Sequence, residues 1–98
     1  MSYQDDVGEH IRLAILRILE GAPGYAANDS VLHDKLPRLA LSCSRAQVRT
    51  HLAWLRDQGL LALEEVAPGL FVATLAEAGA DVAKGLTTVP GVKRPSAR

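Results

Sequence analysis

The chain has 98 residues, which is enough for one compact domain with one hydrophobic core and too short for two domains of usual size. Its 11 Lys and Arg residues balance its 11 Asp and Glu residues, so binding to a nucleic acid or a membrane would require local clustering of charge. Hydrophobic residues make up 48% of the chain but aromatic residues only 4%, which favours a mainly helical domain with an aliphatic core.

The cysteine usage and the N-terminal residues predict a cytoplasmic protein. Cys43 is the single cysteine, so no intramolecular disulfide forms, as is usual in a reducing compartment. The first eight residues are polar and acidic, and charged residues interrupt the apolar stretch that follows them. We therefore expect neither a signal peptide nor a membrane span.

Two helices are predicted in the N-terminal part of the chain. Apolar residues recur at three- and four-residue intervals over residues 5–20, where Leu13 and Leu16 widen the apolar stripe and favour core burial over a dimer surface. Residues 28–30 supply N-capping side chains to a second helix. Its inward-facing residues are predicted to be Val31, Leu32 and Leu36. Pro37 predicts a kink or an end of this helix.

A third helix is the most clearly marked element. Ser44 and Gln47 fit a capping box, so the helix is predicted to begin at Ser44, and Gly59 is predicted to end it. Its predicted core-facing residues are Val48, Leu52 and Leu55.

The remainder predicts a β-hairpin, a short helix and a tail. Residues 61–63 and 70–75 indicate two strands around an Ala-Pro-Gly turn, and residues 76–84 indicate a short helix. Residues 87–98 carry two prolines and three basic residues without apolar periodicity. We therefore expect one domain at 1–86 and a flexible basic tail at 87–98.

The order of helix, helix, capped helix, hairpin and helix is that of a winged helix-turn-helix. Residues 48–55 (VRTHLAWL) and 58–61 (QGLL) resemble the recognition helix of bacterial winged-helix regulators leading into the wing. Residues 75–79 (LAEAG) resemble the LTxxG segment that follows the wing, with Ala76 in place of the usual Thr. The chain is also similar to small winged-helix proteins of Mu-like phages and prophages, on residues 27–30 with Leu32, 44–45 with 47–49, 79–85 and 89–95.

This resemblance implies a mainly α fold with a small β-hairpin, binding to double-stranded DNA and a role in transcriptional regulation. The distribution of charge supports it independently. Residues 35–56 contain five basic residues and no acidic one, whereas residues 57–81 contain five acidic residues and no basic one. The positive charge therefore lies on the helix-turn-helix and on the tail, which are the parts expected to approach phosphates.

The third helix is expected to enter the major groove with small residues, Ala46, Thr50 and Ala53, on its outward face. Base contacts are expected from Gln47, Arg49 and Thr50. Phosphate contacts are expected from Lys35, Arg38, Arg45 and Arg56. If these arginines instead contacted the protein's own carboxylates, the reason for proposing a nucleic acid would be removed.

Two alternatives stay open on the sequence alone. The arginines also fit an ordinary solvated helix face. Glu64 and Glu65 on the first hairpin strand would repel phosphates, which favours docking by the helix alone. The acidic wing and Trp54 equally fit a winged-helix protein-interaction module that does not bind DNA. Trp54 is either a contact surface or covered by the N-terminal arm or by a partner chain.

No enzyme is expected, because the sequence contains no phosphate-binding loop and no recognisable catalytic set. The three histidines, His10, His33 and His51, have no metal-ligand spacing, so neither a metal nor a cofactor is predicted, and no small-molecule ligand is evident. A homodimer through the apolar surface of the first helix would place two recognition helices on successive major grooves, about 34 Å apart.

Overall fold

The computed structural model describes residues 2–96. Within them the chain forms four α-helices and one three-stranded antiparallel sheet. In chain order these are α1 (Tyr3–Glu20), β1 (Ala26–Asn28), α2 (Asp29–Lys35), α3 (Arg45–Asp57), β2 (Leu61–Ala67), β3 (Leu70–Leu75) and α4 (Glu77–Ala83). Short 3₁₀ turns lie at Pro23–Tyr25 and Leu36–Leu39. The fold is therefore mixed α/β, and it contains the predicted hairpin.

The sheet contains one strand that the sequence did not predict. Its strand order is β1-β3-β2, and β1 pairs with β3 so that Ala27 lies opposite Ala73. Three residues between a 3₁₀ turn and a helix cap are too short to show the alternation by which strands are recognised. The strand matters for the site, because it brings the first residue of α2, Asp29, beside β3.

The core is aliphatic, as predicted. Val48, Leu52 and Leu55 of α3 are fully buried, and Leu13 and Leu16 of α1 are buried as well. The core also includes Ile15, Leu19, Leu32, Leu36, Leu60 and Ala73. The prediction for Val31 was wrong, because its side chain remains 40% exposed.

The helix boundaries follow local capping chemistry. α1 begins earlier than predicted, because Ser2 and Asp5 form a capping box ahead of the acidic first turn. α2 ends at Lys35 and continues as a 3₁₀ turn that contains Pro37, which confirms the predicted break. None of the helices within residues 2–96 has the length and apolar character needed to cross a bilayer.

The segment predicted as a flexible tail packs on the domain for part of its length. Val92 is only 8% exposed, and Val89 packs against the core cluster. The Lys93 amide donates to the carbonyl oxygen of Glu9 in α1 at 3.1 Å. Two apolar side chains three residues apart, together with this hydrogen bond, thus help to dock a segment that has no longer periodicity. The last two residues of the predicted tail lie outside the described part of the chain.

Candidate nucleic-acid interface

The N-terminus of α3 forms as the sequence predicts. The Ser44 hydroxyl accepts from the Gln47 amide at 3.1 Å, and the Gln47 side-chain oxygen accepts from the Ser44 amide at 2.8 Å. This capping box fixes the first turn of the helix. It also occupies the amide oxygen of Gln47, so the side-chain NH₂ group of this predicted base-contacting residue is the part left to face a partner.

The outward face of α3 is an exposed strip of small side chains. Ala46 and Thr50 are exposed and Ala53 is half-buried. The Thr50 hydroxyl donates to the Ala46 carbonyl oxygen at 3.1 Å, which holds it close to the helix backbone. No large side chain of α3 therefore rises from this strip, and another molecule can approach the helix backbone closely.

On one flank of this strip, a buried carboxylate binds two of the four arginines that the sequence predicts as DNA contacts. Asp29, the first residue of α2, is fully buried. Its Oδ2 accepts from Arg49 Nε at 2.8 Å and from Arg45 Nε at 3.2 Å. Its Oδ1 accepts from Arg45 Nη2 at 3.3 Å and from the Phe71 amide at 3.2 Å. We call Asp29, Arg45, Arg49 and Phe71 the wing-side cluster.

These contacts keep Asp29 ionised. Burial alone would raise its pKa, but hydrogen bonds from Arg45, Arg49 and the Phe71 amide outweigh it and lower the pKa from 3.8 to about 2. Four donors to one carboxylate satisfy a charge that would be costly to bury unpaired.

The same arginines hold the turn of the hairpin. The Gly69 carbonyl oxygen accepts from Arg49 Nη2, and from Arg45 Nη2 at 3.3 Å. The Glu65 carboxylate accepts from the Gly69 amide at 3.0 Å, which closes the turn on its own strand. Arg49 also lies over the Phe71 ring, 5.4 Å from its centroid. The hairpin tip is therefore fixed to α3.

Both arginines keep part of their surface for solvent. Their side chains are 41% exposed for Arg45 and 39% for Arg49. Within residues 2–96, hydrogen bonds engage their Nε and Nη2 atoms and leave Nη1 of each without one. Two guanidinium groups and one carboxylate leave a net charge of one positive unit. Arg45 and Arg49 thus contact one of the protein's own carboxylates, so their charge no longer gives a reason for proposing a nucleic acid. The charge count over residues 35–56 did not include this partner, because Asp29 lies outside that segment.

The opposite flank of α3 holds a third arginine, Arg12, which comes from α1. Arg12 Nε donates to His51 Nδ1 at 3.2 Å, Arg12 Nη1 donates to the Gly91 carbonyl oxygen at 2.6 Å, and its guanidinium carbon lies 4.5 Å from the centroid of the Trp54 ring. Gly91 has a φ of +100°, and a side chain there would collide with the Trp54 ring. We call Arg12, His51, Trp54 and Gly91 the tail-side cluster.

This arrangement settles where Trp54 lies. Arg12 and the C-terminal segment cover part of the indole, which is half-buried, so Trp54 is not a fully exposed contact surface. Burial and the nearby Arg12 charge lower the pKa of His51, and a neutral imidazole is what the hydrogen bond from Arg12 Nε requires.

Next to the tail-side cluster, α1 and α3 border an open cleft of about 660 Å³. Gln47 and Thr50 line it together with Arg12, His51 and Cys43. Burial raises the pKa of the Cys43 thiol, which disfavours the reactive thiolate. Within residues 2–96 no group of three or more His, Cys, Asp or Glu side chains is placed to hold a metal ion.

The remaining predicted contact residues lie apart from the wing-side cluster. Lys35 lines a groove with Arg17 and Ile18 of α1, and Arg38 is exposed in the 3₁₀ turn after α2. Arg56 pairs with the neighbouring Asp57 at 3.2 Å on the surface. Of the seven predicted residues, the structure thus brings Arg45 and Arg49 together at Asp29, and Gln47 and Thr50 line the same cleft.

Comparison with known proteins identifies two relatives, one of which is a phage protein. The chain is 42% identical over 94 residues to the uncharacterized protein gp26 of Escherichia phage Mu, and the match covers 96% of each chain. The chain belongs to the gp26 family of phage Mu. The predicted resemblance to Mu-like phage proteins is thereby confirmed. This gp26-family chain is also 42% identical over 77 residues to an uncharacterized protein of Haemophilus influenzae strain Rd, a match that covers 79% of this chain and 74% of the relative. No protein-family model and no solved structure matches the chain.

Proposed function

We propose that this gp26-family protein is a winged-helix DNA-binding protein that acts as a transcriptional regulator of a phage or prophage. The helix-break-helix of α2 and α3, followed directly by the hairpin β2–β3, supports the winged helix-turn-helix assignment. The similarity to a protein of phage Mu supports the proposed setting.

The outward face of α3 is the observation that carries the proposal. Its 13 residues form a helix about 20 Å long, which fits a major groove about 12 Å wide. Ala46 and Thr50 are exposed and small, so the helix can sit deep in the groove. Gln47, through its NH₂ group, and Thr50 are our proposed base contacts.

The arginines take a revised role in this proposal. Arg49 has its Nε and Nη2 atoms committed to Asp29 and Gly69, so it cannot make the two-pronged contact by which arginine recognises guanine. With one free Nη1 each, Arg45 and Arg49 are suited to phosphate contacts beside the groove. Lys35 and Arg38 are exposed and complete the proposed phosphate set, whereas Arg56 is occupied by Asp57.

The hairpin is proposed as a structural element of this interface. Glu64 is exposed on β2, and Glu65 is used to hold the Gly69 amide, so the hairpin contributes no cation of its own. Docking by α3 alone therefore remains the proposed mode.

A protein-interaction module is the second candidate. It is favoured by Asp29, because this carboxylate takes up half of the charge that Arg45 and Arg49 would bring to DNA. The part of this candidate that relied on an exposed Trp54 loses support, since the indole is partly covered.

A homodimer belongs to the proposal as well. Ile18 of α1 lines a groove with Leu39 and Leu41, which His10 and Arg17 also border, and Leu39 is 54% exposed. This is the apolar surface through which two copies would associate in the proposed dimer.

The test replaces one of two alanines with glutamate, and the two alanines occupy equivalent positions in their helices. Ala46 is the second residue of α3 and Ala78 the second residue of α4, and both are exposed. A glutamate is tolerated in the first turn of either helix, because it complements the helix dipole. Binding to a random-sequence duplex of about 20 base pairs is measured by fluorescence anisotropy. Ala46→Glu is expected to weaken binding by at least about tenfold, or about 1.4 kcal/mol, through repulsion from phosphates.

Ala78→Glu adds the same charge away from α3 and is expected to leave binding within about twofold of the unmodified protein. Equal binding by both variants would place the interface elsewhere. Absence of duplex binding by the unmodified protein at low salt would refute the DNA proposal and leave the protein-interaction module.

A further inference from the structure

We propose that Asp29 is a positioning residue that sets sequence discrimination, by restraining Arg45 and Arg49 and by fixing the hairpin against α3. This inference rests on the DNA binding proposed above. It assigns a role to a residue that faces no partner itself, because its side chain is fully buried.

The first argument is geometric. Asp29 lies at the start of α2 and contacts side chains of α3 and the backbone of β3. Through the two arginines it also reaches the Gly69 carbonyl oxygen at the hairpin tip. One carboxylate therefore fixes three elements around the exposed strip of α3. A surface held rigidly in this way accepts DNA in one register, as preorganised sites do.

The second argument is electrostatic. Contacts between cations and phosphates supply most of sequence-independent DNA binding and carry no sequence information. Asp29 cancels one of the two positive charges of Arg45 and Arg49. It also occupies the Nε donors of both arginines and the Nη2 donor of Arg45. It thereby lowers binding to every sequence while the readout by the outward face of α3 is unchanged. Because this charge effect is the same for every sequence, it changes the overall affinity, and the difference in affinity between sequences depends on the geometric restraint.

The purpose of the experiment is to separate this role from a purely structural one. Asp29→Asn keeps an oxygen that accepts from the Phe71 amide but removes the charge that holds the arginines. The matched control is Asp34→Asn, which makes the same charge change on α2 at a side chain that is 78% exposed and touches neither arginine. For each protein, affinity for the random-sequence duplex is measured against salt, and duplexes selected from the random pool are sequenced.

The proposal expects opposite changes in two quantities. With Asp29→Asn, random-sequence binding at low salt tightens by about three- to tenfold, and the log–log salt slope steepens by about one unit, because one further phosphate is neutralised. The selected pool carries less sequence preference than the pool selected by the unmodified protein. Asp34→Asn is expected to change the slope by less than half of that amount.

Several outcomes overturn the proposal. If Asp29→Asn is folded and binds with unchanged affinity, slope and preference, Asp29 is only structural. If Asp34→Asn reproduces its effect, the cause is net charge alone. If the unmodified protein binds no duplex, the proposed DNA binding is refuted. That outcome differs from one in which the unmodified protein binds duplex and Asp29→Asn binds in the same way.

A second measurement covers the case in which Asp29→Asn does not fold. Nitrogen-15 spectra of the unmodified protein report the Nε–H groups of Arg45 and Arg49 directly. On saturation with the random duplex pool, both signals are expected to persist with slow solvent exchange, because Asp29 continues to hold them. Their loss on adding duplex would show that the arginines leave Asp29 and would overturn the proposal.

Discussion

α3 is held on its two flanks by arginines in contrasting surroundings. In the wing-side cluster, Arg45 and Arg49 bind a buried, ionised carboxylate and a hairpin carbonyl. In the tail-side cluster, Arg12 binds a neutral imidazole, an indole face and a backbone carbonyl, with no carboxylate among these contacts. The first cluster depends on charge pairing, and the second depends on close packing with a neutral histidine.

This difference teaches that the two flanks respond to different conditions. Asp29 stays ionised down to strongly acidic pH, so the hairpin remains fixed to α3 over the physiological range. The tail-side cluster loses its contacts when a side chain is added at Gly91 or when His51 is protonated. The following substitutions and pH changes act on one cluster at a time, and they are ordered by expected effect.

Asp29→Ala should have the largest effect. It removes the acceptor of four hydrogen bonds and leaves the buried Phe71 amide without its carboxylate partner. We expect the free energy of unfolding to fall by about 3 kcal/mol, at the lower end for a buried pair because the freed arginines regain water. Chemical denaturation measures it. Asp34→Ala should cost less than about 0.5 kcal/mol, and an equal cost would show that the wing-side cluster adds little to stability.

Acid should remove part of the stability that Asp29 supplies. Its folded pKa of about 2 lies below the ordinary 3.8, so its contribution is present above the ordinary value and is lost as pH falls towards 2. Between about pH 5 and pH 2, the advantage of the unmodified protein over Asp29→Asn should shrink by about 2 kcal/mol. Denaturation series on both proteins measure this difference, and a constant difference would contradict the assigned pKa.

Gly91→Ala should release the C-terminal segment from Trp54. The added methyl meets the indole, and the φ of +100° is unfavourable for alanine. We expect a loss of about 1–2 kcal/mol and a red shift of tryptophan emission, which reports this cluster alone because Trp54 is the single tryptophan. Gly24→Ala, at a φ of +65° with open space, is the control and should leave the emission unchanged. Unshifted emission in Gly91→Ala would mean that the segment does not cover Trp54.

Mild acidification should give the smallest change, again in the tail-side cluster. Burial and Arg12 lower the pKa of His51, so protonation opposes folding, and the stability present above the ordinary value of 6.5 is lost as pH falls through the folded pKa. Protonated His51 can no longer accept from Arg12 Nε. Trp54 emission should therefore shift with acid in the unmodified protein and shift less in His51→Gln. The same shift in both would assign it to another group.

The sequence predicted what local chemistry determines. The capping box at Ser44, the buried stripe of α3, the break at Pro37 and the hairpin all follow from short-range patterns, and all were found. The pairing of β1 with β3 was missed because a three-residue strand has no periodicity.

The wing-side cluster was missed for a different reason. Asp29 was one of three capping candidates, and because Asn28 takes the cap, its neighbour is free to be buried. The charge count covered residues 35–56 and therefore did not include Asp29, the acid that pairs with Arg45 and Arg49. The available signal was the spacing of Arg45 and Arg49, four residues apart on one helix face, which suits a shared carboxylate. The tail-side cluster joins three segments that are distant in the sequence, so no local sequence pattern predicts it.

The salt dependence of duplex binding by the unmodified protein tests the DNA proposal most directly. Lys35, Arg38 and the one net charge of the wing-side cluster give about three neutralised phosphates. We therefore expect a slope of about minus three when the logarithm of the affinity is plotted against the logarithm of salt concentration. No binding at low salt, or binding that does not weaken as salt rises, would contradict the account.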